Sequence, residues 1–313
     1  MKGIEVQSLT KTYRGGQVRA LDGVSLEIRP GEAFGIIGPN GAGKTTLLGC
    51  LLGFLRPDSG SVTIEGRDPD DLTIRAALGY LPERLVMDRW MTGRDFLRYH
   101  HALAGLGASR RSEEVEAALD RVGLDAAAAI RPIRKYSRGM LQRLGLAQAL
   151  LGEPRYVFLD EPASGVDPAG VVLFRRLLAE LKQRGVTVVL NSHQLHQVER
   201  VCDRVAFVNR GRVEAIETVE AGGGLAHVLR VRWAKAAGEP AARERLAQLA
   251  AQAGAALEST SGPEARFAVD GDEAAARLLA GLIAAGIPVV EATPEESRLE
   301  RLFLDDAVAD APA

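Results

Sequence analysis

A chain of 313 residues with 46% apolar and 26% charged side chains can bury one large core or two ordinary ones, which excludes a disordered or fibrous chain. A formal net charge of -2, with no basic block or basic-aromatic stripe, argues against a dedicated nucleic-acid binder. Two cysteines, Cys50 and Cys202, lie in apolar patterns without metal-ligand spacing, so a disulfide scaffold and a cysteine metal site are excluded and a reducing compartment is implied.

Taken in chain order, the first thirty residues read as antiparallel strands, with Val24 to Ile28 alternating apolar and polar before a Pro30-Gly31 turn. No apolar stretch of signal-peptide length opens the chain, and no run reaches the ~18 apolar residues that span a bilayer. Next comes an apolar strand, Ala33 to Ile37, then Gly38-Pro39-Asn40-Gly41-Ala42-Gly43-Lys44-Thr45, then the helical run from Thr46 to Leu52. This segment fits G-x-x-x-x-G-K-[ST] in its required setting, a strand before and a helix after. Gly38 and Gly43 leave no Cβ in the way of backbone amides turned inward around phosphate oxygens. Lys44 adds a point charge and Thr45 a hydroxyl for a metal, while the helix start presents unsatisfied amides and a positive dipole end.

Short strands are expected at 61–65 and 77–81, the latter leading to Pro82-Glu83. A helical insert follows over 92–130, with Thr92 and Ser112 as candidate N-caps. Ser137 is a candidate cap for a helix whose apolar residues, Leu141, Leu144, Ala147, Leu150 and Leu151, recur near the helical period. Tyr156 to Leu159 reads as a strand buried on both faces, ending in Asp160-Glu161. Two acids at the carboxyl end of a central strand are costly to bury without a cation, and open α/β sheets bind ligands at that edge. A helix over 169–183 and a strand over 186–190 continue a βαβ alternation, with His193 just past the last strand. By itself, a histidine there is most often structural.

Residues 216–226, with three consecutive glycines at 222–224, read as a linker between a first domain over 1–215 and an accessory domain over 227–313. The second domain is expected as strand 228–233, helix 240–253, strands near 256–260 and 265–269, helix 272–285, strand 287–291 and a closing helix over 295–306. That β-α-β-β-α-β order is ferredoxin-like, with no catalytic constellation, and reads as regulatory or protein-binding.

With the phosphate loop, Tyr136-Ser137-Arg138-Gly139-Met140 and Leu159-Asp160-Glu161-Pro162 in this order, residues 1–215 resemble the ATP-binding cassette (ABC) ATPases. The implied fold is α/β: a P-loop NTPase core with an antiparallel β subdomain and a helical subdomain over about 84–150. Gly79-Tyr80-Leu81-Pro82-Glu83, the Tyr-Ser-x-Gly-Met form of the signature and the extension Glu296 to Phe303 are most similar to the ATPase subunits of ABC-2 type exporters.

The resemblance implies ATP and Mg2+ as cofactors. It puts Tyr13 against adenine, the loop from Gly38 to Gly43 with Lys44, Thr45 and Thr46 around the phosphates, and Thr45 and Asp160 on magnesium. Glu161 then polarises the attacking water, and His193 contacts the γ-phosphate. Glu83 stands where many relatives have a glutamine beside the metal, so coupling is expected to be altered. Ser137, Arg138 and Gly139 open the signature helix, aimed at ATP held by a second, head-to-tail copy, and Asp167 closes a loop, Ser164 to Asp167, that crosses the dimer interface. Arg138 replaces a glycine: pointing inward it would add a cation near phosphate, and pointing outward it would do little. The implied partners are a second copy of the chain and an integral membrane permease on a separate chain, docked on residues 84–108 with Arg84, Arg89, Trp90 and Arg94 exposed. No nucleic acid is expected, and the implied location is the cytoplasmic face of a membrane. Two other functions fit the same motifs: a soluble ATPase of this superfamily acting on nucleic acid or ribosomes, and a nucleotide switch with a protein partner. Against the first, the chain carries one cassette and no long coiled coil.

Overall fold

The computed structural model describes residues 3–13, 15–164, 166, 168–193, 195–219, 227–234, 243–269 and 271–295. The chain divides into two compact units, Met1–Ile216 and Glu217–Ala313.

In the first unit, β1 (Ile4–Tyr13) pairs antiparallel with β2 (Val18–Ile28) and with β4 (Ser59–Ile64), giving a three-stranded sheet in the order β2-β1-β4. Asp58 fastens one end of this sheet by accepting hydrogen bonds from the Thr12 hydroxyl and amide at 2.6 Å each and from Lys11 Nζ at 3.1 Å. The Thr12 hydroxyl, then the Lys11 ammonium, hold the Asp58 carboxyl down to about 2 from its ordinary 3.8. A carboxyl depressed in the folded state adds stability that is present above its unfolded value and is lost as pH falls toward the folded one. Asp58→Asn is therefore expected to lower stability at pH 7 and to flatten the loss below about pH 4. Urea unfolding across that window checks this; an acid limb as steep as the parent's would contradict it.

A six-stranded sheet follows in the order β5-β6-β7-β3-β8-β9, made of β3 (Ala33–Ile37), β5 (Leu78–Leu81), β6 (Tyr156–Asp160), β7 (Thr187–Ser192), β8 (Arg204–Asn209) and β9 (Arg212–Thr218). From β5 through β6, β7 and β3 to β8 the pairing is parallel. The central strands β3, β6 and β7 are buried on both faces, which is why they lack a regular apolar–polar alternation. The helix α1 (Lys44–Leu51) leaves β3 and packs Leu47, Leu48 and Leu51 between the two sheets, against Phe34, Phe158 and the apolar face of β1. Burying each of these side chains contributes about 1.5–3 kcal/mol, so the phosphate-loop segment is clamped on its apolar side.

The segment α2 (Leu72–Arg75) precedes β5. Four helices, α3 (Gly93–Leu103), α4 (Arg111–Arg121), α5 (Ala126–Ala129) and α6 (Arg138–Ala149), lie between β5 and β6. Thr92 caps α3 by accepting from the Asp95 amide, and Ser137 caps α6 by accepting from the Met140 amide at 3.2 Å. Ser112 is not a cap. A 3-10 turn over Ala108–Arg110 runs straight into α4, leaving Ser112 inside the first turn, with its hydroxyl accepting from Arg98 Nη2 at 3.4 Å. The helix α7 (Pro168–Gln183) links β6 to β7, with proline at the first helical position, where its missing N–H costs nothing. The short α8 (Leu195–Val198) links β7 to β8.

In the second unit, β10 (His227–Trp233), α9 (Arg243–Ala253), β11 (Ala255–Ser261), β12 (Glu264–Val269), α10 (Gly271–Ala284) and β13 (Val289–Glu295) follow in turn. The antiparallel sheet order β11-β12-β10-β13 is the ferredoxin-like arrangement. Leu229, Val231 and Trp233 fall on one face of β10 by the strand period of two and meet Leu246 of α9 and Leu278 of α10. Arg232, on the other face, binds Glu291 through Nε and Nη2 at 2.9 and 2.7 Å. The strand β9 takes up the first residues of the expected linker, ending at Thr218. The closing helix expected over 295–306 lies beyond Glu295, outside the described residues. Among the described residues, no helix is long and apolar enough to cross a membrane.

Candidate functional site

Parallel register decides which residues meet. Ile37 of β3 is level with Ser192 of β7, and Asp160 of β6 is level with Asn191 of β7. The phosphate loop after β3, the acids at the end of β6 and His193 after β7 therefore emerge side by side at the carboxyl edge of neighbouring strands. They open onto a cleft of about 400 Å3 lined by Asn40, Gly41, Gly43, Lys44, Thr45, Thr46, Glu83, Asp160, Glu161 and His193, together with Val18, Arg19, Ala20, Ser164 and Asn191.

The glycines of the loop are required for two different reasons. A Cβ on Gly38 would stand 1.9 Å from the Val208 carbonyl oxygen, and one on Gly43 would stand 2.2 Å from that of Ala20. Gly41 faces open space but holds φ at 82°, which side chains rarely adopt. Gly38→Ala is expected to cost about 1–3 kcal/mol, because a backbone oxygen cannot give way and the end of β3 must part from β8. Thermal unfolding alongside nucleotide-analogue binding checks this; a variant equal to the parent in both would contradict it. Ala42 is clamped, with its carbonyl accepting from the Gly211 amide at 2.8 Å.

Lys44 is buried and donates from Nζ to the Gly38 and Pro39 carbonyls at 2.8 and 2.9 Å. Desolvation pulls its pKa down, opposed by the charges of Glu161, Asp160 and Glu83. Asp160, 4% exposed, accepts from Asn191 Nδ2 at 2.6 Å. Burial pushes its carboxyl up, with Glu83 and Glu161 adding to the rise and Asn191 and Lys44 opposing it. Glu161 sits at φ 48°, an uncommon conformation for a glutamate that costs about 1–3 kcal/mol and turns its side chain back across the strand end. Its Oε1 accepts from the His193 amide at 2.8 Å and lies 2.7 Å from His193 Nδ1, and its Oε2 accepts from Ser192 Oγ at 3.3 Å. Contacts to both the backbone amide and the ring let Glu161 fix the histidine's orientation.

Other expected residues lie apart. Tyr13 does not line the cleft; it pairs across the strands with Val18, which does. Ser137, Arg138 and Gly139 are also outside the lining, at the exposed start of α6. A Cβ on Gly139 would meet no atom of the described residues within 4 Å, in contrast to Gly38 and Gly43. Arg138 reaches a residue of the cleft lining. Its Nη2 donates to Ser164 Oγ at 2.9 Å, within the same chain. Asp167 lies outside the described residues. Arg94 is not an exposed docking group: Glu116 grips its guanidinium through two hydrogen bonds of 2.6 and 2.9 Å, bracing α3 on α4.

Sequence reasoning missed Asn191 and residues 18–20. Asn191 had a signal, a polar residue closing an apolar strand two positions before His193. The Val18–Ala20 approach had none, since it comes from β2 crossing over the loop.

The first unit thus has the fold and the site of a P-loop nucleotide-binding cassette. Residues 21–164 match the family profile described as ABC transporter. An ABC transporter ATP-binding protein from Nostoc sp. (strain PCC 7120) is 43% identical over 216 residues, covering 67% of this chain and 64% of that one. A second, from Synechocystis sp. (strain PCC 6803), is 42% identical, and the match covers 61% of its length, so this chain spans just under two thirds of both relatives. The daunorubicin/doxorubicin resistance ATP-binding protein DrrA of Streptomyces peucetius is 34% identical over 310 residues, covering 97% of this chain and 92% of that one. Among solved structures, a dimeric ATP-binding cassette in a post-hydrolysis state with ADP and Pi superposes with a TM-score of 0.64 at 26% identity, over 70% of this chain and 99% of that one. The chain belongs to the ABC transporter ATP-binding proteins.

Proposed function

We propose that this chain is the ATP-hydrolysing subunit of an ABC-2 type exporter, working as a head-to-tail pair on the cytoplasmic face of a membrane beneath a permease carried by another chain. The observation that carries it is the convergence of Lys44, Asp160, Glu161 and His193 on one cleft at the in-register ends of β3, β6 and β7. Catalysis of phosphoryl transfer is mainly positioning and charge neutralisation, and this cleft is built for both. The amides of residues 40–46 and the start of α1 bind phosphate oxygens, and Lys44 neutralises charge between the β- and γ-phosphates. Tyr13, at the rim, offers its ring to adenine. Glu161 accepts a proton from the attacking water, and His193, oriented by Glu161, faces the γ-phosphate.

The donor set fits magnesium. Among the described residues no group of three or more His, Cys, Asp or Glu side chains forms a metal cage. A hard cation bound through one or two carboxylates plus substrate phosphates needs none. Asp160 and Thr45 would hold it, with Glu83 beside them; bound there, it neutralises phosphate charge. The buried Asn191 Oδ1 has no hydrogen-bond partner among the described residues, and the raised Asp160 carboxyl also marks a place made for an added positive group.

The outward-facing start of α6 supports a shared site. Ser137 and Gly139 are absent from the lining of their own chain's cleft, and no described atom lies where a Cβ on Gly139 would stand, which leaves room for another surface to approach closely. An ATP held by a second copy satisfies both, and a two-fold pair uses the arrangement twice. Asp167 belongs to the same interface in this reading. A groove lined by Tyr80, Arg84, Leu85, Val86, His100 and Leu103 supports permease docking, with Val86 96% and nearby Trp90 76% exposed. Export is supported by the near full-length similarity to a drug-resistance ATPase. Affinity capture of the tagged chain from native membranes should bring an integral membrane protein with it. Recovery of ribosomes or DNA alone would overturn the transport reading.

A further inference from the structure

Arg138 joins two parts of the chain that are held by different supports. Its own segment belongs to the helical insert: Tyr136, just before it, is buried and donates its hydroxyl to the Ala128 carbonyl at 2.7 Å, while Ser137 caps α6. Ser164, which receives the guanidinium at 2.9 Å, belongs to the sheet edge: its amide donates to the Glu161 carbonyl at 3.1 Å, and it lines the nucleotide cleft. The chain of contacts therefore runs from the tip of α6 through one side chain to the residue that follows β6. Arg138 and Ser164 are 26 residues apart, so the bond joins two segments that only the tertiary fold brings together.

Under the shared-site reading, on which this rests, the two ends of the contact serve different nucleotides. The tip of α6 meets the ATP held by the other copy, whereas Ser164 and Glu161 face the ATP held by this one. We propose that Arg138 is a positioning residue that couples the two ATP sites of the dimer, passing the state of one signature tip to the catalytic carboxylate of the opposite site through Ser164. Closure of α6 on the partner's ATP pulls the guanidinium, Ser164 and the Glu161 backbone together, so that binding at one site prepares the other. A glycine at position 138 has no side chain to make this link.

The readout is the Hill coefficient of ATP hydrolysis, which can rise to the number of sites, about 2 here. The parent is expected to exceed 1 clearly. Arg138→Ala and Ser164→Ala should each bring it to about 1, and the double variant should fall no further, as members of one link behave non-additively. Arg138→Lys, which keeps a long cationic donor, should retain part of the cooperativity, and Ser164→Thr, which keeps the hydroxyl, should retain most of it. Single variants as cooperative as the parent, or a double variant distinctly below either single, would overturn the link. A parent that hydrolyses ATP with a coefficient of about 1 would sink the coupling alone, and a parent that does not hydrolyse ATP at all would sink the function beneath it as well.

Discussion

Lys44→Ala is expected to lower kcat/KM for ATP about 100-fold, because hydrogen bonds to charged groups contribute roughly 1.5–3 kcal/mol and each 1.4 kcal/mol is a factor of ten. The loss has two sources. Lys44 is buried at the start of α1, among three carboxylates whose charges favour its ammonium form, so its removal takes away a cation and leaves Glu161, Asp160 and Glu83 less balanced against an incoming triphosphate. The Gly38 and Pro39 carbonyls also lose their donor, loosening the loop that carries the phosphate-binding amides. Calorimetric titration with a non-hydrolysable ATP analogue, alongside steady-state turnover, separates these effects. Loss of both binding and turnover is expected, and parent-like values in either would contradict the role given to this residue.

Glu161→Gln acts on a different step. Glutamine keeps a carbonyl oxygen for the His193 amide and nearly the same shape, so the strand-end geometry should survive. It cannot accept a proton near neutral pH. General-base catalysis contributes about 100- to 10,000-fold, and turnover should fall by that amount while ATP binding remains. Because the γ-phosphate then stays in place, two copies should accumulate as an ATP-bound pair. Single-turnover kinetics and light scattering with and without ATP check both parts; turnover within a few-fold of the parent would remove Glu161 from the chemistry.

Much of this site was legible because its logic is local. A strand, a glycine-rich loop with one lysine and a helix occupy about 20 consecutive residues, and an apolar run ending in two acids is unusual enough to mark a strand edge. The second unit was legible for a related reason: Leu229, Val231 and Trp233 alternate with Arg230 and Arg232. What could not be read was set by tertiary geometry. Arg94 looks exposed on a helical surface until Glu116, 22 residues away, takes both arms of its guanidinium. Ser112 looks like a cap until a 3-10 turn places it inside the helix. The strained φ of Glu161, the Asn191 contact with Asp160 and the reach of Arg138 to Ser164 all depend on segments brought together only by the sheet.

A shared nucleotide, held by the loop of one copy and the signature tip of another, is tested most directly by mixing two disabled chains. Lys44→Ala spoils the loop and keeps Ser137; Ser137→Arg spoils the tip and keeps Lys44. Each alone should be nearly inactive, yet the mixture should recover ATPase activity, because mixed pairs contain one site built from the two intact halves. A mixture as inactive as its components, or a Ser137→Arg chain that turns over like the parent by itself, would mean that each copy completes its own site.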